Sequence, residues 1–289
     1  MAGRDAGKLM VNDDLPYASL WRRWLQPLES VQENASPPLD IAQLEMEIEP
    51  AVSGTDAKFC KAILATVKTA LSSARQTLAG EFGIHNDGAV YVGRHAWIMD
   101  LLVSFIVAQA GRRFGLDGKK HRMAVVAVGG YGRGELAPFS DIDILFVMSE
   151  TRALAIEKTV EFSLYLLWDL GLKVGHATRT VCETIDTAKA DQTVLTGLLE
   201  MRKITGHQQL YGQLESAVAA IVSKTKTSDF VEQKLTERDQ RHARLGATRY
   251  VVEPNIKEGK GGLRDLHTLF WITKFAYRTN NVLDLVDQI

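Results

Sequence analysis

The sequence predicts an α+β protein, in which a small mixed sheet with helices is followed by a helical domain. Residues 123–128 and 142–147 are short, apolar and rich in β-branched side chains, as expected for buried strands. A glycine-rich turn separates them, after which residues 153–170 show helical periodicity and residues 173–181 alternate like a strand. Strand, turn, strand, helix and strand in this order are typical of a small sheet covered by helices.

Residues 1–56 are predicted to form a loosely ordered arm with short helices, because this segment is rich in proline and net acidic. Residues 57–190 are assigned to the domain of the sheet, which begins with two helices. The first has apolar side chains at steps of three and four, at Phe59, Ile63, Val67, Leu71, Ala74 and Leu78. The second, over residues 94–114, is expected to be largely buried, with Met99 and Phe105 in the core.

The helix after the second strand is expected to stop at Gly171. Residues 191–289 are assigned to a helical domain, with breaks at Gly206 and at residues 225–228. A glycine-rich segment interrupts this domain, and another helix is expected to begin near Leu263.

Composition narrows the class of protein. A chain of 289 residues with 46% hydrophobic content can bury a sizeable core, and a formal net charge of -1 disfavours a sequence-independent nucleic-acid binder. Cys60 and Cys182 have no C-x-x-C spacing, which argues against a disulfide framework or a structural zinc site. The first residues lack the apolar region of a signal peptide, so we expect a soluble, cytoplasmic protein.

Asp141 and Asp143 lie at the start of the second predicted strand, where alternate side chains project from one face about 7 Å apart. Carboxylates at this spacing can share Mg²⁺, which prefers oxygen ligands and keeps substrate phosphates in its shell. An isolated Asp-x-Asp pair more often only begins a strand at a polar surface. Here Gly129 and Gly130 precede the pair, in a turn where backbone can approach a phosphate closely. The combination predicts phosphoryl or nucleotidyl transfer.

Two further residues of this region have open alternatives. Arg133 is either a solvated turn residue or a partner for a triphosphate, since guanidinium matches phosphate geometry. Ser140 is either a cap or a hydrogen-bond donor to phosphate. The turn is neither a P-loop nor a dinucleotide fingerprint, because G-x-x-x-x-G-K-[ST] is absent and its glycines do not give G-x-G-x-x-G.

The segment from Val252 to Trp271 forms a second cluster of chemically informative residues. Lys257 and Arg264 flank three glycines whose backbone N–H groups can point at an anion, with a helix N-terminus just beyond. Such a loop could close on a triphosphate. The alternative is an ordinary loop before a helix, with Asp265 as a first-turn charge that suits the helix dipole.

Two segments carry a resemblance to known families, GGYGRGELAPFSDIDILF at residues 129–146 and EPNIKEGKGGLRDLHTLFW at residues 253–271. The first is similar to the signature of polymerase-β-type nucleotidyltransferases. Together they resemble the amino-terminal part of the bacterial bifunctional uridylyltransferase/uridylyl-removing enzymes that modify the PII nitrogen-regulatory protein. The glutamine synthetase adenylyltransferases are related, but the Glu-Pro-Asn-x-Lys-Glu-Gly lead-in favours the uridylyltransferases.

The resemblance implies UTP as substrate, Mg²⁺ as cofactor and PII as acceptor. Asp141 and Asp143 would hold the metal, Gly129 and Gly130 would accommodate the phosphates, and a tyrosine hydroxyl of PII would attack the α-phosphorus. The family's HD hydrolase and ACT domains are not recognisable here, and no His-Asp dipeptide occurs. We therefore expect a fragment with the transferase module, without uridylyl-removing activity or glutamine control.

One departure from the superfamily concerns the general base. The superfamily usually has a third carboxylate on a following strand, yet residues 171–182 contain none. His176, Glu183, Asp186 and Asp191 are the candidates for that place, and the sequence does not choose among them.

Three alternatives to PII uridylylation stay open. An adenylyltransferase acting on another protein is one, since the turn does not disclose which base is held. A nucleotide-binding fragment without turnover is another, because the third carboxylate is missing. An RNA-directed nucleotidyltransferase is disfavoured by the near-neutral charge and by the lack of an aromatic and basic stripe.

Overall fold

The computed structural model describes residues 36–116, 121–149, 153–245, 253 and 255–278. The described residues form two compact units, which divide between residues 217 and 218. The first unit contains the sheet, and the described residues of the second are mainly helical.

Among the described residues, three helices precede the sheet in the first unit: α1 (Ile41–Val52), α2 (Asp56–His85) and α3 (Gly88–Phe114). The six apolar positions predicted for α2 are its buried residues. Both long helices extend beyond their predicted bounds for local reasons. Asn86 ends α2 in a left-handed conformation, and Asp87 caps α3 by accepting hydrogen bonds from the N–H groups of Ala89 and Val90.

Among the described helices, α3 is long and apolar enough to cross a membrane by length and composition alone. About two thirds of that stretch, 67%, is buried inside the protein. Met99 and Phe105 lie in the core, as the sequence predicts. This burial is what a core helix shows.

Four strands form the sheet: β1 (Met123–Ala127), β2 (Ile142–Met148), β3 (Val174–Thr180) and β4 (Arg202–Gly206), in the order β3-β2-β1-β4. β1 runs antiparallel to β2 and β4, whereas β2 and β3 are parallel. The sheet is therefore mixed, as predicted. Helix α5 (Leu154–Asp169) makes the crossover between the parallel strands and is followed by Gly171, at φ 75°. The turn between β1 and β2 contains α4 (Gly129–Gly132).

The prediction of a helix over residues 202–206 is wrong, because these residues form β4. Ala127 pairs with Arg202 and Val126 with Lys203, after which a bulge shifts the register. The local sequence, Arg-Lys-Ile-Thr-Gly, is short and polar, and its strand conformation depends on the ladder with β1. The sheet consequently extends past the domain boundary predicted at residue 190.

Two helices precede β4 along the chain, α6 (Val181–Ala190) and α7 (Gln192–Leu198), and α8 (Gln208–Lys224) follows it. The second unit contains α9 (Thr227–Arg244) and α10 (Leu263–Tyr277). The predicted breaks at Gly206 and at residues 225–228 coincide with the ends of β4 and α8. Phe230 and Phe275 join α9 to α10 through stacked rings whose centroids lie 3.9 Å apart.

Candidate active site

The two predicted metal ligands lie at the amino-terminal end of the central strand β2. Asp141 is exposed immediately before the strand, and Asp143 is its half-buried second residue. Ile142 and Ile144, which alternate with Asp143, point into the hydrophobic core. The core side of the strand therefore fixes the direction of Asp143 on the opposite face.

The glycine turn begins where β1 ends and contacts Asp143 directly. The N–H of Val128 donates to the carbonyl of Asp143 at 3.1 Å, so the turn begins in register with β2. Gly129 has φ 60°, and a Cβ built on it would lie 3.7 Å from Asp143 Oδ2. The backbone thus runs past the carboxylate in a conformation that favours glycine. The structure brings Gly129 and Asp143 together, as the sequence predicts.

Gly175, on β3, contacts Asp143 from the other side. The two residues are paired in the parallel ladder, and a Cβ at Gly175 would lie 2.2 Å from Asp143 Oδ1. Any side chain at residue 175 would displace that oxygen, so the Asp143 carboxylate lies between two glycines. Gly175 is a site residue that the sequence did not single out, because its role depends on the register of two strands distant along the chain.

Arg133 contacts carboxylates of its own chain. Its Nε donates to Glu135 at 2.8 Å and its Nη1 to Glu200 at 2.5 Å, and its side chain is 11% exposed. Burial alone would lower the pKa of Arg133, but Glu200 and Glu135 raise it above its usual value. The prediction that Arg133 is a solvated turn residue is therefore wrong, because its guanidinium is largely buried and bound to two carboxylates of the same chain. Its role toward a triphosphate stays a prediction.

The turn ends on a solvent-exposed segment. Ser140 is exposed, and its N–H donates to the carbonyl of Ala137 at 3.1 Å. The residue before it, Phe139, is 93% exposed and has φ 64°, a left-handed conformation that costs a bulky side chain energy. A tight loop thus delivers the chain to Asp141.

Arg202 and Asp100 stabilise the back of the glycine turn, which is the side formed by Tyr131 and Gly132. Arg202 is bidentate to Asp100, with distances of 2.7 and 3.0 Å, and also donates to the carbonyls of Tyr131 and Gly132 at 3.2 Å each. Burial raises the pKa of Asp100 above its usual value, although Arg202 opposes this shift. No local pattern in the sequence indicates this pair, because the two opposite charges lie 102 residues apart.

The candidates for a third carboxylate or base do not gather beside Asp143. His176 pairs with Ile144 in the ladder, which places it on the face opposite Asp143, and its ring lies 5.7 Å from that of Trp168. Glu183 and Thr180 form a capping box at the start of α6. Asp186 is paired with Lys189, and Asp191 caps α7. Each has a structural contact of its own.

A divalent ion fits the donors that are present. Asp141 and Asp143 supply the hard oxygen ligands that Mg²⁺ prefers, and Mg²⁺ usually takes only one or two carboxylates together with substrate phosphates. The absent side chain of Gly129 leaves space beside Asp143 Oδ2, whereas the space at Gly175 is occupied by Asp143 Oδ1. Within the described residues, no group of three or more His, Cys, Asp or Glu side chains is arranged to hold a metal. The fit is therefore to a two-carboxylate site completed by nucleotide.

The predicted glycine-rich loop lies in the second unit and has a different construction from the one expected. The N–H groups of its three glycines all donate to groups of the same chain. Gly259 donates to the carbonyl of Asn255, Gly261 to the carboxylate of Asp265, and Gly262 to the carbonyl of Gly259. Two of these donors are taken up by backbone carbonyls of the loop and the third by the Asp265 carboxylate, so the anion that they contact here is a side chain of the chain itself. Closure of the loop on a triphosphate stays a prediction.

Asp265 ties this loop to α9. Besides Gly261, its carboxylate accepts hydrogen bonds from Arg241 and His242. Lys257 is exposed, whereas Arg264 contacts Glu258 at 3.5 Å and lies 5.8 Å from the Trp271 ring centroid. The role of Lys257 and Arg264 in binding nucleotide stays a prediction.

Comparison with known proteins gives family matches to both parts of the chain that carry predicted site residues. A family model described as Nucleotidyltransferase domain matches residues 116–194, the part of the chain that carries the turn, Asp141, Asp143 and Gly175. The chain contains a nucleotidyltransferase domain. A second model, described as GlnD PII-uridylyltransferase, matches residues 229–289, which include the loop around Lys257 and helix α10.

The nucleotidyltransferase domain and its surroundings are similar to a larger bacterial protein. The bifunctional uridylyltransferase/uridylyl-removing enzyme of Azospirillum brasilense is 43% identical over 252 residues, which are 84% of this chain and 26% of that protein. The chain thus spans about a quarter of the length of this curated relative. The predicted fold class, the predicted resemblance and the predicted nucleotidyltransferase domain are confirmed.

Proposed function

We propose that this chain transfers UMP from UTP to a tyrosine of the PII signal protein, with release of pyrophosphate. One observation carries the proposal: Asp143 is held between Gly129 and Gly175, directly beside the turn of a nucleotidyltransferase domain. The similarity to the PII-uridylyltransferase model and to the Azospirillum brasilense enzyme supports UTP and PII as the substrates.

Asp141 and Asp143 would hold Mg²⁺, which when bound offsets charge on the oxygens of the transferred group. Gly129 leaves room for phosphate oxygens next to Asp143, because its backbone passes the carboxylate without a side chain. Gly130 continues the turn, and its carbonyl accepts from the N–H of Glu135 at 3.1 Å, which fixes the turn's shape. The turn and the two aspartates orient the triphosphate so that the acceptor hydroxyl is in line with the leaving pyrophosphate.

A second candidate function is nucleotide binding without turnover. It is favoured by Gly175, which stands at the position of β3 beside Asp143 where no carboxylate is present. A site with two carboxylates can retain Mg²⁺ and triphosphate even if the attacking hydroxyl is not deprotonated. A protein adenylyltransferase differs only in the base that is held.

The experiment mixes the chain with PII and Mg²⁺ and follows label from α-³²P-UTP or α-³²P-ATP into PII. Asp143→Asn is the test variant, because the amide removes a charge with little change in volume. Asp56→Asn is the matched control, since this exposed aspartate pairs with Arg113 at the start of α2. Nucleotide binding is measured in parallel by calorimetry.

We expect UTP to label PII, Asp143→Asn to abolish labelling with its fold intact, and Asp56→Asn to keep it. Labelling from ATP alone would assign an adenylyltransferase. Mg²⁺-dependent UTP binding without label in PII would support nucleotide binding without turnover. Normal labelling by Asp143→Asn would overturn the two-aspartate mechanism.

A further inference from the structure

A short backbone segment, residues 199–202, lies against the back of the glycine turn. A Cβ built on Gly132 would lie 2.0 Å from the carbonyl oxygen of Glu200 and 3.0 Å from that of Ala127. The turn therefore contacts backbone on this side as closely as glycine allows. No other residue fits at Gly132 unless the turn or this segment moves.

Arg202 extends this contact with a set of directed hydrogen bonds. One guanidinium binds both oxygens of Asp100 and the two carbonyls at the end of the turn, those of Tyr131 and Gly132. The planar fork of arginine makes these bonds together, which the single ammonium of lysine cannot do. Asp100 lies on helix α3 and is 8% exposed, so a buried carboxylate holds the guanidinium of Arg202 in place.

Glu200 adds a second tie in the same place. Its side chain is 1% exposed and accepts from Arg133, the residue that follows the turn. The turn is thus held by Arg202 at its carbonyls and by Glu200 at its next side chain. Both residues come from the segment that leads into β4.

The opposite end of the same turn faces the metal ligands. A Cβ built on Gly129 would lie 3.7 Å from Asp143 Oδ2, and Asp143 itself is held in place by strand β2. Because α4 is a single turn, Gly129–Gly132, its placement relative to β2 depends on what holds its back. A shift at Gly132 therefore changes the distance between Gly129 and Asp143.

We propose that Arg202, held by Asp100, is a positioning residue for nucleotidyl transfer: it sets the glycine turn at its distance from Asp143 by binding the carbonyls of Tyr131 and Gly132. This rests on the proposed function, because the turn is taken to bind the triphosphate. The action is indirect, through the turn, since Arg202 is bound to Asp100 and to backbone.

The test compares Arg202→Lys with a matched control elsewhere in the same unit. Arg113 has the same kind of contacts: an ion pair with Asp56 and hydrogen bonds to the carbonyls of Val52 and Gly54, at 2.9 and 2.8 Å. These contacts stabilise the turn between α1 and α2, which contains no site residue. Arg113→Lys therefore removes similar contacts away from the proposed site. Thermal stability, triphosphate affinity with Mg²⁺, and kcat and KM for the labelling of PII are measured for each variant.

We expect Arg202→Lys to lower kcat/KM about 10²-fold, as displacement of a reacting group by about 1 Å does, and Arg113→Lys to leave it near wild type at a similar loss of Tm. Asp100→Asn should reproduce the effect of Arg202→Lys. Equal effects of Arg202→Lys and Arg113→Lys on kcat/KM would overturn the positioning role.

Failure of the proposed function shows in the wild type, and failure of this inference shows in the variants. If the wild type binds ATP and not UTP, the proposed substrate is wrong and the comparison is made with ATP affinity, which Arg202→Lys should still weaken. Unchanged triphosphate affinity and turnover in Arg202→Lys overturns the inference whichever nucleotide binds. A wild type that binds no triphosphate overturns both.

Discussion

Gly175 lies directly beside Asp143, on the neighbouring parallel strand, and the space of its absent side chain is filled by Asp143 Oδ1. The carboxylate therefore owes its position to a glycine 32 residues further along the chain. Gly129 borders the same carboxylate from the turn. This arrangement makes the conformation of Asp143 sensitive to both strands and to the turn.

Gly175→Ala should impair catalysis more than stability. The new Cβ would lie 2.2 Å from Asp143 Oδ1, so the carboxylate must rotate away from β3. We expect kcat for transfer to fall about 10²-fold, as misplacement by about 1 Å does. Gly212→Ala is the control, because nothing lies within 4 Å of a Cβ at that helical glycine. Wild-type kcat in Gly175→Ala would show that the Asp143 conformation does not limit the reaction.

Phe139→Asn should stabilise the protein. Phe139 has φ 64° with its side chain 93% exposed, so the substitution loses little packing. A left-handed conformation costs ordinary residues about 1–2 kcal/mol, and asparagine tolerates it best among non-glycine residues. We expect the free energy of unfolding in urea to rise by about 1 kcal/mol.

Phe139→Ala is the control for this prediction, since it removes the same ring but retains a Cβ at positive φ. Its stability should remain near wild type. If both variants also lose transfer activity to the same extent, the exposed ring contacts a substrate. A stability loss in Phe139→Asn would contradict the assignment of strain.

Asp265→Asn should change the pH dependence of stability. Burial of Asp265 opposes ionisation, but the Gly261 N–H, His242 and Arg241 outweigh it and lower the pKa of this carboxyl below its usual value. A lowered folded-state pKa gives stability that is present above the unfolded pKa of about 3.9 and is lost as pH falls through the folded pKa. The variant lacks this contribution.

The difference in unfolding free energy between wild type and Asp265→Asn should therefore be largest near neutral pH. It should shrink as the pH falls below about 3.9, which urea unfolding from pH 2 to 7 would show. Asp239→Asn is the control, because Asp239 forms an exposed pair with Arg238, and such pairs contribute little. A difference that does not depend on pH would contradict the role of the Asp265 charge.

Lys257→Ala tests the predicted part of the basic loop in triphosphate binding. Lys257 is exposed, and a charge-assisted hydrogen bond of about 1.5–3 kcal/mol corresponds to about tenfold or more in affinity. We expect weaker UTP binding by calorimetry, with the fold unchanged. Lys226→Ala is the control for charge, since Lys226 is exposed in the same unit and has no side-chain cap bond. Equal affinity in both variants would leave the loop with a structural role alone.

Most of the local structure follows from local patterns in the amino-acid sequence. Helix α2 was predicted with all of its buried residues, because a period of three to four apolar positions is a local property. Both strands around the glycine turn were predicted to within one residue, since β-branched runs bounded by glycine and aspartate are also local signals. Asp141 and Asp143 followed from their spacing and their place beside the turn.

The distant residues that complete the site are brought together by tertiary packing alone. Strand β4 forms because its backbone pairs with that of β1. This pairing places Arg202 and Glu200 against the turn. Gly175 and His176 are adjacent in sequence, yet the parallel register places the glycine beside Asp143 and the histidine on the other face. Register, strand partners and ion pairs across 102 residues are set by packing of the whole unit, which no local pattern encodes.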